Sequence, residues 1–216
     1  MASTLRTLHR LRLVAIAIAA SPTFSATAGI TFDEAVAGDL SDNRLAPSSL
    51  VLGSGLNTLT GSFGSSPVPD VLDLDYVTVT VPTGYVLDGF IVLAANVGGA
   101  FSFVGMQAGD VVTIPHDWAS IESPLLGWAH FGSSSVGVDI FPELGSAPGA
   151  VGFDGPLGPG NYALWIMELD ASSPYSYSFG LHLTAVPEPG AMALIVIALG
   201  VAGRRRRSDS NSATRD

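Results

Sequence analysis

Alternation of apolar and polar residues dominates the middle of this chain. In "DYVTVTVP" (Asp75 to Pro82), Tyr76, Thr78 and Thr80 alternate with Val77, Val79 and Val81, the period-2 signature of a strand with one buried face. Pro82-Thr83-Gly84 supplies a turn, and "YVLDGFIVLAA" (Tyr85 to Ala95) reads as the next strand. Further strands are predicted over 56–63, 101–106, 111–114, 126–131, 162–169 and 175–184, punctuated by Gly, Pro, Ser and Asn. The stretch from Pro156 to Val186 reads as a strand, a polar turn at Ala171 to Pro174 and a closing strand, that is, a hairpin. No internal segment carries a capped 3.6-residue period, so helix should be scarce. The pattern predicts an all-β fold, an antiparallel β-sandwich or jelly-roll-like domain over residues 29–186.

The two ends break this pattern. Arg6, Arg10 and Arg12 precede the apolar run "LVAIAIAA" (Leu13 to Ala20), and Ala26-Thr27-Ala28 is a small-x-small cleavage pattern. Residues 1–28 therefore read as a secretory signal peptide cut after Ala28, which implies the Sec translocon and signal peptidase as partners. At the other end, Gly190 to Gly203 is fourteen uncharged residues, and Arg204, Arg205, Arg206 and Arg207 follow. As a helix this run is about 21 Å long, shorter than the roughly 30 Å hydrocarbon core that a permanent anchor spans. The arginines would be held on the cytoplasmic side, halting export and leaving residues 208–216 as a disordered cytoplasmic tail. Pro187-Glu188-Pro189 opposes helix and should sit extended at the membrane surface.

Motif, short apolar helix and arginine cluster, in that order and behind a signal peptide, resemble the PEP-CTERM sorting signal of exported proteins of Gram-negative bacteria; here it spans residues 187–207. The resemblance implies an exosortase as the processing partner and transient residence in the inner membrane. It further implies delivery to the cell surface or extracellular matrix, in an exopolysaccharide or biofilm context.

Charge narrows the function classes. Between Gly29 and Val186 there are sixteen Asp or Glu against one arginine, Arg44, and the chain has no lysine and no cysteine. A net charge near −15 repels phosphate backbones, which argues against nucleic-acid binding. The absence of cysteine excludes disulfides, thiolate catalysis and cysteine-ligated metal; the absence of lysine excludes Schiff-base chemistry. "GSSSVG" (Gly132 to Gly137) has Val136 where a nucleophile elbow needs glycine. No catalytic constellation emerges, although paired carboxylates for glycoside hydrolysis are plentiful enough to keep a secreted hydrolase of matrix polymers as a competing class.

"DLDYVTVTVPTG" with its Asp73-Leu74-Asp75-Tyr76 step, together with Gly160-Asn161-Tyr162, resembles the bacterial pre-peptidase C-terminal domain, a small jelly-roll-like sandwich. The segment from Pro115 to Asp154, with Trp118 and Trp128, departs from that family's compact pattern. Closely spaced carboxylates in loops can converge on Ca²⁺, a hard cation that takes oxygen ligands; they are also common as solvated turn residues. The resemblance implies calcium ligands at Glu34, Asp39, Asp73 and Asp75, with Asp70 or Asp42 as substitutes. Trp118 and Trp128 flank a loop-like region and are the candidates for stacking on a glycan, which makes a calcium-dependent glycan-binding module a second competing class. Trp165, alternating within "YALWIMEL", reads as core.

Overall fold

The computed structural model describes residues 28–65, 72–96, 102–115, 124–168 and 175–187. The signal peptide before Ala28, Asp70, Trp118, the predicted turn at Ala171 to Pro174, and the tail from Glu188 through the arginine cluster all lie outside the described residues.

Two five-stranded sheets face each other. One contains β1 (Thr31–Asp33), β3 (Gly55–Ser65), β4 (Leu72–Asp73), β6 (Tyr85–Asn96) and β10 (Tyr175–Ala185), ordered β1-β3-β10-β6 with β4 on β3. The other runs β2 (Ser48–Val51), β5 (Asp75–Val81), β9 (Gly160–Met167), β7 (Phe103–Ala108), β8 (Gly127–His130). Among the described residues the helical elements are α1 (Glu34–Ala37), α2 (Phe141–Gly145) and a 3₁₀ turn at Ser133–Ser135. The architecture is the expected all-β sandwich, and its sheets are mixed: β1 runs parallel to β3 and β2 parallel to β5, while the remaining pairs are antiparallel.

The space between the sheets is filled by alternating residues of both. Leu59, Phe63, Leu87, Phe90, Phe179 and Leu181 meet Val77, Val79, Met106, Leu164 and Ile166 in one cluster of buried side chains. Phe179 anchors it, with ring centroids 5.0 Å from Phe90, 4.9 Å from Phe131 and 4.9 Å from Tyr177.

Three expectations are corrected. Residues 156–186 do not form a hairpin: β9 pairs with β5 and β7 in one sheet, and β10 pairs with β3 and β6 in the other. Two adjacent strands with inward apolar faces can face one another across a core as well as pair edge to edge, and alternation does not distinguish the two. Strand β5 is buried on both faces, not one. Its Tyr76 belongs to a second core, on the outer face of the sheet, with Phe103, Trp165 and Met167, covered by Val112, Ile114 and Leu125. Finally, residues 111–114 form no strand. They are part of that cover, held where Val112 N–H donates to Arg44 O at 3.0 Å and Arg44 Nη1 donates to the carbonyls of Val112 and Thr113 at 3.0 and 2.7 Å.

Candidate functional site: an acidic pocket

Strand β1 ends at Asp33, whose Oδ1 caps α1 by accepting from Ala35 N–H at 3.0 Å. The helix lasts a single turn before Gly38, at φ 96°, redirects the chain. This turn presents Glu34 and Asp39 over β3. From below, β5 begins with Asp75, fully buried, and β4 ends with Asp73. Single carboxylate oxygens of Glu34, Asp39 and Asp75 all lie within 4.8 Å of one another. Glu34 and Asp39, with Asp75 buried behind them, border a pocket of about 480 Å³ whose walls also include Gly61, Ser62, Asp73 and Ser176.

The carboxylates are fixed by hydrogen bonds. Glu34 Oε1 accepts from Leu40 N–H at 3.1 Å and Oε2 from Ser62 N–H at 2.7 Å. Asp75 Oδ2 accepts from the Tyr177 hydroxyl at 2.8 Å, and Asp75 Oδ1, buried, has no hydrogen-bond partner among the described residues. Gly61 makes room for this arrangement. A Cβ there would lie 2.5 Å from the Tyr177 hydroxyl oxygen and 2.8 Å from Glu34 Oε2.

The electrostatics follow from burial without a counter-charge. Burial, then the charge of Glu34, pushes Asp75 up to about 9 despite the Tyr177 hydrogen bond. Asp73 rises to about 6, through burial and then repulsion by Asp39, Asp42 and Glu34. Glu34 is raised by burial, against the backbone hydrogen bonds from Ser62 and Leu40. The Tyr177 phenol is held well above its usual value by burial and by Asp75. Arg44 is the only arginine or lysine among the described residues, and it is committed to the carbonyls of Val112 and Thr113. Among the described residues no arginine or lysine therefore balances the cluster, which leaves protons or a bound cation to do so.

The residues fit a hard divalent cation. All donors are oxygens, one of them a buried carboxylate oxygen with no donor, and the space depends on a glycine whose Cβ would fill it. Of the sequence-predicted set, Glu34, Asp39 and Asp75 come together, and Asp73 lines the same pocket. Asp42 is used differently: its Oδ1 accepts from Leu74 N–H at 3.0 Å, which fixes the strand between Asp73 and Asp75. Tyr177, Gly61 and Ser62 were not singled out from sequence. A glycine inside an otherwise regular strand pattern, as in "NTLTGSF", was the available signal for a close approach.

The other candidates are placed as follows. Trp128 stacks on Phe103 (centroids 6.2 Å, 25° between planes) and donates through Nε1 to Pro148 O at 3.2 Å, so it is half-buried in the second core. Trp165 is fully buried, as expected. Ser102, Glu168 and His130 adjoin one another: Ser102 Oγ donates to Glu168 Oε2, and His130 Nδ1 lies 3.1 Å from the Ser102 carbonyl oxygen. The imidazole thus meets the serine backbone, and the hydroxyl is fully buried and bonded to the acid, unlike an activated nucleophile.

Comparison with known proteins bears on the tail. A model of the PEP-CTERM protein-sorting motif matches residues 185–207. No curated protein matches the chain. Among solved structures, the chain is similar to the pre-peptidase C-terminal domain of a collagenase from Bacillus anthracis. Identity is 12%, the TM-score is 0.32, and 63% of this chain and 93% of that one are covered. The sorting motif supports an exported protein handled by an exosortase, and its match begins at the last residue of β10.

Proposed function

We propose that this chain is a non-enzymatic surface or extracellular-matrix protein, working in an exopolysaccharide or biofilm setting. On this reading the signal peptide exports it, the tail pauses it in the inner membrane, and the sorting enzyme releases or transfers it. The observation that carries the reading is the sorting motif fused directly to the last strand of the sandwich. The non-enzymatic part is supported by the commitment of reactive side chains to structure. Ser102 is buried against Glu168, His182 Nδ1 lies 2.7 Å from Asp88, and Asp139 Oδ1 accepts from Phe90 and Phe141 N–H.

The acidic pocket is proposed as a calcium site, with Glu34, Asp39 and Asp75 as ligands and Asp73 beside them. A bound cation would supply the missing positive charge and tie the N-terminal segment, β1 and α1, to β3 and β5. A calcium-dependent glycan contact through Trp128 is the second reading, favoured only by its partial exposure on the edge strand β8.

The experiment is to follow the tail in a host with and without its exosortase. The reading expects tail-less mature protein only where the enzyme is present, and identical size and location in both hosts would refute it. Turnover of matrix polymers by the purified protein, abolished by changing one carboxylate, would displace the non-enzymatic reading in favour of a hydrolase.

A further inference from the structure

Both chain ends leave the sandwich at the same end. Ala28 forms a parallel bridge with Ser54, while Ala185 pairs with Tyr85 and Val186 N–H donates to Gly84 O at 2.8 Å. The connections here, Gly53 to Gly55, Pro82 to Gly84 and Gly158 to Gly160, carry no charged side chain, and neither does Thr184 to Pro187. At the rim, Asp110 accepts a hydrogen bond from Asn161 Nδ2 at 2.6 Å. The surface is instead apolar. Tyr85, Val86, Pro159, Val186 and Pro187 surround a depression of about 340 Å³, and Val51 and Val186 are 64% and 46% exposed.

The acidic pocket lies at the opposite end. Tyr177 and Ala185 are eight residues apart on β10, about 27 Å at 3.4 Å per residue. Charge is thus polarised along the sandwich, with Glu34, Asp39, Asp73 and Asp75 converging at one end and, at the other, three uncharged connections beside Asp110 at the rim.

The sequence that follows the last strand bears on what this sparsely charged end meets. Only Pro187, Glu188 and Pro189 separate Val186, hydrogen-bonded into the fold, from the uncharged run that starts at Gly190. Fully extended, that span is at most about 14 Å, and the headgroup layer is roughly 5 to 8 Å deep on each side. With the run inserted, at most about 6 to 9 Å of extended chain is left between the sandwich and the headgroup layer. A body carrying about fifteen net negative charges is repelled least by an anionic leaflet at the face where its own charge is sparsest.

We propose that the end bearing Tyr85, Pro159 and Val186 is a lipid-facing surface, which rests on the headgroup layer while the tail is inserted and points the acidic pocket away from the membrane. This rests on the proposed reading of the tail as a transient membrane segment. The sorting motif is then confined to the narrow gap between the sandwich and the bilayer, within reach of a membrane-embedded enzyme.

The absence of cysteine makes the test direct. Thr83→Cys and Gly158→Cys place a fluorophore at this end, where a Cβ on Gly158 meets nothing within 4 Å; Val36→Cys, on an 86% exposed residue of α1, places one at the other end. The full chain is reconstituted into phosphatidylethanolamine and phosphatidylglycerol vesicles carrying a headgroup-attached quencher. Quenching at positions 83 and 158 should exceed that at position 36 at least threefold. Equal, weak quenching at all three sites in chains that float with the vesicles overturns this proposal and leaves the sorting reading intact. Chains that do not float overturn both. Quenching at 83 and 158 that appears only when an exosortase is co-reconstituted overturns the lipid surface and makes that enzyme the occupant.

Discussion

Asp75→Asn is expected to stabilise the cation-free protein and blunt its response to calcium. An unfolded aspartate titrates at its ordinary 3.8, whereas Asp75 in the folded chain is pushed up to about 9 by burial and Glu34. At pH 7 the folded, cation-free protein must take up a proton that the unfolded chain does not hold. That costs about 1.4 kcal/mol for each pH unit above 3.8, on the order of 4 kcal/mol as an upper bound, which local relaxation reduces. Asparagine keeps an acceptor for the Tyr177 hydroxyl and offers an amide donor towards Glu34, with no ionisation. In chelator at pH 7 the variant should therefore gain about 2 to 4 kcal/mol, or roughly 4 to 16 °C in Tm at 2 to 4 °C per kcal/mol. Calcium at one hundred times its Kd should add about 2.7 kcal/mol to the parent and markedly less to the variant. Below pH 3.8 both states are protonated and the advantage in chelator should vanish. Circular-dichroism melts at pH 3.5 and pH 7, in chelator and in millimolar calcium, read all of this. A variant that melts below the parent in chelator at pH 7, or gains as much from calcium, would show that the Asp75 carboxyl neither costs stability nor holds the cation.

Gly61→Ala should cost about 1 to 3 kcal/mol by overpacking against Tyr177 and Glu34, and abolish any calcium-induced rise in Tm. Because the folded-state values of Asp73 and Asp75 are raised, their contribution is fully present below pH 3.8 and lost as pH rises through about 6 and then about 9; denaturant titrations in chelator should show stability falling over that window, and a rise there would contradict the account. Asn57, buried, accepts from Ile30 and Gly53 N–H and donates to the carbonyls of Gly53, Gly55 and Leu181. Asn57→Ala should cost about 2 to 4 kcal/mol, since it orphans two backbone donors and three acceptors. Trp165→Ala, which empties the centre of the second core, should cost about 3 to 5 kcal/mol in the same assay.

What the sequence disclosed follows from what local patterns encode. Alternation located β3, β5, β6, β9 and β10, because a strand between two layers must send every second side chain inward. It could not say which strands share a sheet, so β9 and β10 read as a hairpin although they face each other across the core. The short edge strands β1 and β2 carry too little apolar pattern to register; their positions come from parallel pairing with β3 and β5. The second core was hidden because Val112, Ile114 and Leu125 reach Trp165 from irregular chain. Glu34, Asp39, Asp73 and Asp75 were legible as a set of carboxylates, and their convergence on one pocket needed the fold. Tyr177 is 102 residues away from Asp75 along the chain, and no local rule connects them.

If the tail is a sorting signal and the leader a signal peptide, both hydrophobic ends are removed from a folded, exported sandwich. Intact-mass measurement of the protein recovered from the surface or medium of its native host reads both cleavage points at once. The expected polypeptide begins at Gly29 and lacks the run from Gly190 onward together with Arg204 to Arg207. A cell-associated chain carrying all 216 residues as its mature form would contradict it.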